Sequence, residues 1–196
     1  MIYTVTFNPA LDYVMNLKEL QYKDINRTEG EQLYYGGKGI NVSAILSRLG
    51  VDNIALGFLA GFSGRQIEEM LNAESINNDF VYLKKGYTRI NVKIKADEDY
   101  DINAQGPDIE ADEINALFDK LEKLQNGDFL VLAGSIPNSL PNDIYEEILA
   151  KLQNKGINFA VDATGDLLLN VLKYKPFLIK PNHHELGDIF GVEVKS

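Results

Sequence analysis

From residue 109 onward the chain alternates helical and extended apolar patterns, and this alternation leaves it few folds to adopt. Ile114, Leu117, Phe118, Leu121 and Leu124 recur at the spacing of one helix face, and an unbroken apolar strand follows at 129–133. Tyr145, Ile148, Leu149 and Leu152 form the next helix face, with Pro141 expected in its first turn. A strand at 157–161, a helix at 165–172, a strand at 177–179 and a helix at 183–190 complete the series. Strands joined through helices run parallel, and continuous apolar strands are covered on both faces. The expected fold is therefore α/β, a mostly parallel sheet between helical layers.

The first half is less regular. A strand at 2–7 is closed by Asn8-Pro9, and Asp12 precedes a second extended stretch at 13–17. Residues 28–35 are extended again, 54–58 form a short buried strand, and 81–83 form another. Between the last two, a loop at 61–64 is expected to lead into a helix carrying Ile67, Met70 and Leu71. Residues 88–95 alternate cleanly, with Ile90, Val92 and Ile94 on one side and Arg89, Asn91, Lys93 and Lys95 on the other. Such a strand is half-covered and suits a small sheet beside the main body; its basic face either meets solvent or faces a ligand. The acidic stretch 97–101 reads as an exposed hairpin tip without chemistry.

Chemistry gathers first at Gly36-Gly37-Lys38-Gly39-Ile40-Asn41-Val42. Three glycines in four residues permit positive φ and a close backbone approach. Val42, Ile45, Leu46 and Leu49 then make a helix that Gly50 ends. A glycine turn feeding a helix N-terminus offers free N–H groups and the positive end of the helix dipole to an anion. Lys38 adds a full charge, and Asn41 can both donate to and accept from a hydroxyl. A tight turn with an exposed lysine would account for the same residues. The spacing fits neither the Walker loop, because Gly39 follows Lys38 where Ser or Thr belongs, nor the G-x-G-x-x-G dinucleotide fingerprint.

Composition narrows the classes of function. Its 196 residues suffice for one large domain with its own core. A net charge of −10 argues against a general nucleic-acid binder. Without cysteine there is no disulfide and no thiolate chemistry, as suits a reducing compartment. Met1-Ile2-Tyr3-Thr4-Val5 reads as a strand, not a signal peptide, and no apolar run is long enough for a membrane span. No membrane partner is expected, and the expected location is cytoplasmic.

Three successive strands end in residues a sheet does not need: Gly134-Ser135-Ile136-Pro137, Asp162-Ala163-Thr164-Gly165-Asp166 and Lys180-Pro181-Asn182. Open parallel sheets bind ligands at the carboxyl ends of their strands. Together with Asp12 and the glycine turn, the set offers lysine, amide, hydroxyl and carboxylate groups, a mix suited to a phosphorylated polyhydroxyl compound.

Asn8-Pro9-Ala10-Leu11-Asp12, the 36–42 stretch, Thr88-Arg89-Ile90-Asn91-Val92-Lys93, Ala133-Gly134-Ser135-Ile136-Pro137 and Ile179-Lys180-Pro181-Asn182-x-x-Glu185 carry a resemblance across nearly the whole chain. It resembles the ribokinase-like carbohydrate kinases of the phosphofructokinase B type. Within that family it looks most like the bacterial 1-phosphofructokinases, with tagatose-6-phosphate kinases as close relatives. Ile102-Asn103-Ala104-x-Gly106-Pro107 leans toward the fructose 1-phosphate branch.

The resemblance implies ATP-dependent phosphorylation of fructose 1-phosphate to fructose 1,6-bisphosphate, with Mg²⁺. It implies a three-layer α/β/α sandwich with a small β-sheet lid, whose strands come from about 12–35 and 88–105 and which often clasps a homodimer. By position, Asp12, Gly37 and Asn41 would hold sugar hydroxyls, Lys38 and Arg89 the substrate phosphate, and Ser135 the pocket wall. Asn182 and Glu185 would sit by Mg²⁺, Glu185 indirectly, and by the ATP phosphates, with Lys180 on the nucleotide side. His183 and His184 fall between these two and read as helix surface.

The family's Gly-rich loop ending in Gly-Asp, which carries the catalytic base, is not found after Gly165 and is expected beyond Ser196. The C-terminal part of the fold would thus be absent, and 1–196 would form a partial kinase domain, inactive alone. The parallel sheet is expected to keep an unpaired edge where the chain stops at Val194-Lys195-Ser196. The rival expectation is a non-catalytic module that binds a sugar phosphate.

Overall fold

The computed structural model describes residues 1–192, so the stop at Val194-Lys195-Ser196 lies outside the described residues. The chain begins with β1 (Ile2–Thr6), β2 (Ala10–Asn16), β3 (Gly30–Gly36), α1 (Lys38–Arg48), β4 (Asn53–Leu59) and α2 (Gly61–Ala73). Then come β5 (Val81–Tyr82), β6 (Arg89–Lys95), β7 (Asp99–Ile102), α3 (Ala111–Leu121), β8 (Phe129–Ala133) and α4 (Ile144–Leu152). β9 (Asn158–Asp162), α5 (Gly165–Val171), β10 (Leu178–Ile179) and α6 (His183–Phe190) follow.

Six strands form one sheet in the order β10-β9-β8-β1-β4-β5, and every pairing is parallel. The chain moves from β1 to one side through β4 and β5, then returns to the other side through β8, β9 and β10. Strand order therefore reverses at β1. That reversal opens a crevice beyond the carboxyl ends of β1 and β8, where neighbouring connections leave toward opposite faces.

The sheet separates two apolar clusters. Val5, Phe7, Leu130, Leu132, Tyr145, Ile148 and Phe159 belong to the larger one, against α3, α4 and α5. Ile40, Ala44, Leu59, Ile67 and Leu71 belong to the smaller one, under α1 and α2. Thr4 and Thr6 alternate with Val5 along β1 and turn to α1, where Thr4 Oγ1 meets Ser43 Oγ at 2.8 Å.

A second sheet has the order β3-β2-β6-β7, with β2 and β6 parallel and both outer pairs antiparallel. Leu11 is buried in the smaller cluster, and Tyr35 and Ile90 pack against it. This seats the second sheet beside the end of the first. The basic face of β6 meets solvent only at its far end: Asn91 is buried and Arg89 and Lys93 are half-buried, whereas Lys95 is exposed. Residues 99–101 of the acidic stretch belong to β7, with Asp99 and Asp101 opposite Lys95 and Lys93, which leaves a shorter tip.

Two local expectations shift for packing reasons. Residues 61–64 are not a loop; they open α2, because a Cβ on Gly64 would stand 3.0 Å from Leu59 Cβ and 3.1 Å from Thr88 Oγ1. Pro141 lies before α4, in a turn whose Pro141 carbonyl accepts from Ile144 N–H at 3.2 Å.

Candidate functional site

α1 starts with an N-cap that has no side chain, Gly37 at φ 129°. A Cβ there would stand 2.7 Å from Thr6 Cγ2, so the approach of α1 to β1 requires glycine. The cap is supplied from the neighbouring strand instead: Thr6 Oγ1 accepts from Ile40 N–H at 2.9 Å. The N–H groups of Lys38 and Gly39 are left without an acceptor among the described residues, at the positive end of the helix. Gly37 and Lys38 at this end of the helix border a cavity of about 350 Å³ at the switch point, lined also by Thr6, Asn8, Asn41 and Arg89 together with 133–135 and 163–164.

The far wall is tied to α1 through one carboxylate. Lys38 Nζ donates to Asp162 Oδ1 at 3.1 Å, and Lys180 Nζ forms an ion pair with Asp162 Oδ2 at 3.3 Å. Asp162 ends β9 and its side chain is only 15% exposed, whereas Lys38 is 47% exposed and can turn to a ligand anion. The 133–135 turn is fixed from beneath. Gly134 takes φ 101°, and its carbonyl accepts from the fully buried Tyr145 hydroxyl at 3.0 Å. Burial, and then the negative charge of Asp162, push the Tyr145 phenol well above its usual pKa, so it stays a donor.

Arg89 enters from the second sheet. Its neighbour Thr88 anchors the start of β6: the Thr88 hydroxyl accepts from Ala60 N–H at 2.9 Å, and its carbonyl accepts from Ser63 Oγ at 2.6 Å. Arg89 Nε donates to the Pro9 carbonyl and Nη1 to the Ala104 carbonyl, each at 3.4 Å. Burial lowers the guanidinium pKa and the nearby Asp12 charge opposes that, so Arg89 stays cationic in the cavity wall.

Asp12 does not line the cavity. Its carboxylate accepts from Asn91 Nδ2 at 2.9 Å and forms an ion pair with Lys93 Nζ at 3.1 Å, and it lies over Gly36, 3.2 Å from where a Cβ would be. It stands at the rim beside Arg89. Gly37, Lys38, Asn41, Arg89 and Ser135 are brought together around one hollow.

Lys180, Asn182 and Glu185 stand apart from that hollow, joined to it only through the reach of Lys180 to Asp162. Asn182 and Glu185 form a capping box on α6: Glu185 N–H donates to Asn182 Oδ1 at 2.9 Å, and Asn182 N–H donates to Glu185 Oε2 at 2.8 Å. Glu185 Oε1 has no such partner among the described residues. One hard oxygen suits Mg²⁺ that keeps most of its waters, so the residues fit an indirect contact. Among the described residues no three His, Cys, Asp or Glu side chains are grouped to hold a metal directly. His183 and His184 are exposed on α6.

Sequence reasoning missed Thr6, Asn8 and Tyr145. The first two lie at a strand end, a position that would have pointed to them; nothing local marks Tyr145, whose role comes from α4 packing under β8.

An α/β sheet with cationic groups and glycine turns at its switch point, beneath a second mixed sheet, defines a class of small-molecule kinases. The chain belongs to the pfkB family of carbohydrate kinases, whose model matches residues 5–196. It is 45% identical over 196 residues to a 1-phosphofructokinase of Bacillus subtilis, covering 100% of this chain and 64% of that protein. It is 40% identical over 191 residues to a D-tagatose-1-phosphate kinase of Bacillus licheniformis, covering 97% of this chain and 62% of that protein. Phosphofructokinase-2 of Escherichia coli, solved in complex with substrates and products, superposes with a TM-score of 0.93 at 27% identity, over 100% of this chain and 64% of that one. The same enzyme has been solved as a tetrameric inhibited form. The chain thus spans about two thirds of the length of these relatives.

Proposed function

We propose that the chain carries the acceptor half of an ATP-dependent kinase that converts fructose 1-phosphate to fructose 1,6-bisphosphate. The observation that carries this is the convergence of Lys38, Arg89 and the N-terminal end of α1 on one cavity. A phosphate there receives two full positive charges and a helix dipole. Gly37, Asn41 and the rim carboxylate of Asp12 would take the sugar hydroxyls, and Ser135 would close the wall. The relatives are named as a 1-phosphofructokinase and a D-tagatose-1-phosphate kinase, which supports a ketose 1-phosphate as substrate over tagatose 6-phosphate.

ATP and Mg²⁺ belong on the Lys180, Asn182 and Glu185 side, where bound nucleotide supplies the phosphoryl group. The second sheet acts as a lid over the acceptor. Its exposed Leu33 and Tyr34 on β3, and Tyr100 and Ile102 on β7, suit a homodimer clasp. The same reading makes this a metabolic enzyme of the cytoplasm. No described helix is long and apolar enough to cross a membrane.

The carboxylates around the cavity are already committed, Asp12 to Asn91 and Lys93, and Asp162 to Lys38 and Lys180. Neither lines the cavity, so neither is placed to serve as general base, and a missing base costs about 10²–10⁴ in rate. The 196-residue polypeptide by itself therefore binds sugar phosphate without turning it over. The same pairing favours a second reading, a non-catalytic sugar-phosphate-binding module.

Titration calorimetry of the purified chain with fructose 1-phosphate, tagatose 1-phosphate and tagatose 6-phosphate tests the proposal. Saturable binding is expected, tightest for fructose 1-phosphate; no binding of any of the three would remove both readings. In a coupled assay with ATP and Mg²⁺, phosphorylation by the chain alone would overturn its inactivity.

A further inference from the structure

We propose that Asn91 is a positioning residue that sets Asp12 and Arg89 together, and so couples the hydroxyl side of the sugar site to its phosphate side. The inference rests on the sugar-phosphate reading above.

The parallel register of β2 and β6 places Asn91 directly opposite Asp12, on the face shared with Arg89 and Lys93. Asn91 is 6% exposed, the most deeply buried polar side chain of that face. Both ends of its amide are used. Nδ2 donates to Asp12 Oδ1 at 2.9 Å, and Oδ1 accepts from Ala104 N–H at 3.2 Å. The carbonyl of the same Ala104 accepts from Arg89 Nη1 at 3.4 Å. The next residue is held as well: Asn8 Nδ2 donates to the Gln105 carbonyl at 2.9 Å.

A carboxylate, an amide, the two backbone groups of one loop residue and a guanidinium therefore form a continuous series. The amide is chemically required, because only a group with a donor and an acceptor can face a carboxylate on one side and an N–H on the other. An exposed polar face would need neither. Losing the amide frees the Asp12 carboxylate to swing and releases the peptide that aims Arg89, although neither charge is itself removed.

Replacing Asn91 by Asp gives a readout that a purely structural role would not move. The introduced carboxylate cannot donate to Asp12 when ionised. When protonated it donates again, and two carboxylates this close hold one proton between them. The charged or titratable groups around it are Arg89 and Lys93 on β6 and, across from Asp12 on β3, Tyr34. Both cations favour the ionised form and move recovery toward acid pH. Ionisation of the sugar phosphate itself cancels in the ratio of variant to wild-type affinity.

Two arms test the proposal. In ligand-free protein, NMR should show the Asp12 carboxyl and Arg89 Nε–H resonances moving together in Asn91→Leu; movement of Asp12 alone would sink the coupling. By calorimetry with fructose 1-phosphate, Asn91→Asp should bind about tenfold more weakly than wild type at pH 8 and within about threefold at pH 5. A ratio that does not change with pH overturns the positioning role. If the wild type binds no fructose 1-phosphate, the functional reading fails while the resonance arm, which Asn91→Asp at pH 8 can also supply should Asn91→Leu not fold, still decides this one.

Discussion

A methyl group on Gly39 would stand 2.5 Å from the Thr6 hydroxyl and 2.8 Å from the Val5 carbonyl. Both belong to the strand on which α1 is seated, so neither can swing aside as a flexible side chain would. Gly39→Ala should push α1 away from β1 and break the Thr6 bond to Ile40. Overpacking of this kind costs about 1–3 kcal/mol. Thermal unfolding should show it as a Tm lower by several degrees, and an unchanged Tm would mean that α1 does not sit this close. At this scale the sequence was informative where backbone geometry dictates the residue: the glycines at 36–39 announced a close approach. It was silent on what is approached. Thr6 and Tyr145 act through contacts with partners 34 and 11 residues away, and no local pattern carries that information.

Elements tell a similar story with a different outcome at β6 and β10. The alternation in β6 fixed which side chains share a face, but whether that face met water depended on the docking of the second sheet. Asn182 and Glu185 show the converse ambiguity, since their spacing serves a helix cap as well as a ligand. β10 pairs only with β9 among the described residues, and Phe177, Leu178 and Ile179 are exposed by 69%, 54% and 37%. An unpaired apolar edge recruits another strand. Sedimentation should therefore show association of the 196-residue chain that rises with concentration and that Leu178→Lys reduces, because a lysine on an edge opposes pairing. Identical behaviour of the two proteins would show that the edge drives nothing.

At the scale of the whole molecule the cavity belongs to no single element. β1, β8 and β9 supply the floor, α1 one wall, and β6 of the second sheet another. A ligand that bridges them stabilises only the assembled state, which is linkage: about 2.7 kcal/mol at a ligand concentration 100 times Kd. For a chain of this size that is a rise of about 5–10 °C in Tm with fructose 1-phosphate. No rise at such a concentration would mean that the sugar phosphate does not bind across the two sheets.

The sequence by itself determined the α/β class, the parallel main sheet, the glycine entry to α1 and the family, because periodicity and turn chemistry are local and the motifs keep their order. Only the tertiary structure decided which polar groups share a hollow. It joined Lys38 to Asp162 across 124 residues and set Asp12 on Asn91, beside Arg89. Such pairings are set by strand register and by the docking of one sheet on another, and these minimise exposed apolar surface over the entire chain; no short stretch of sequence encodes the result.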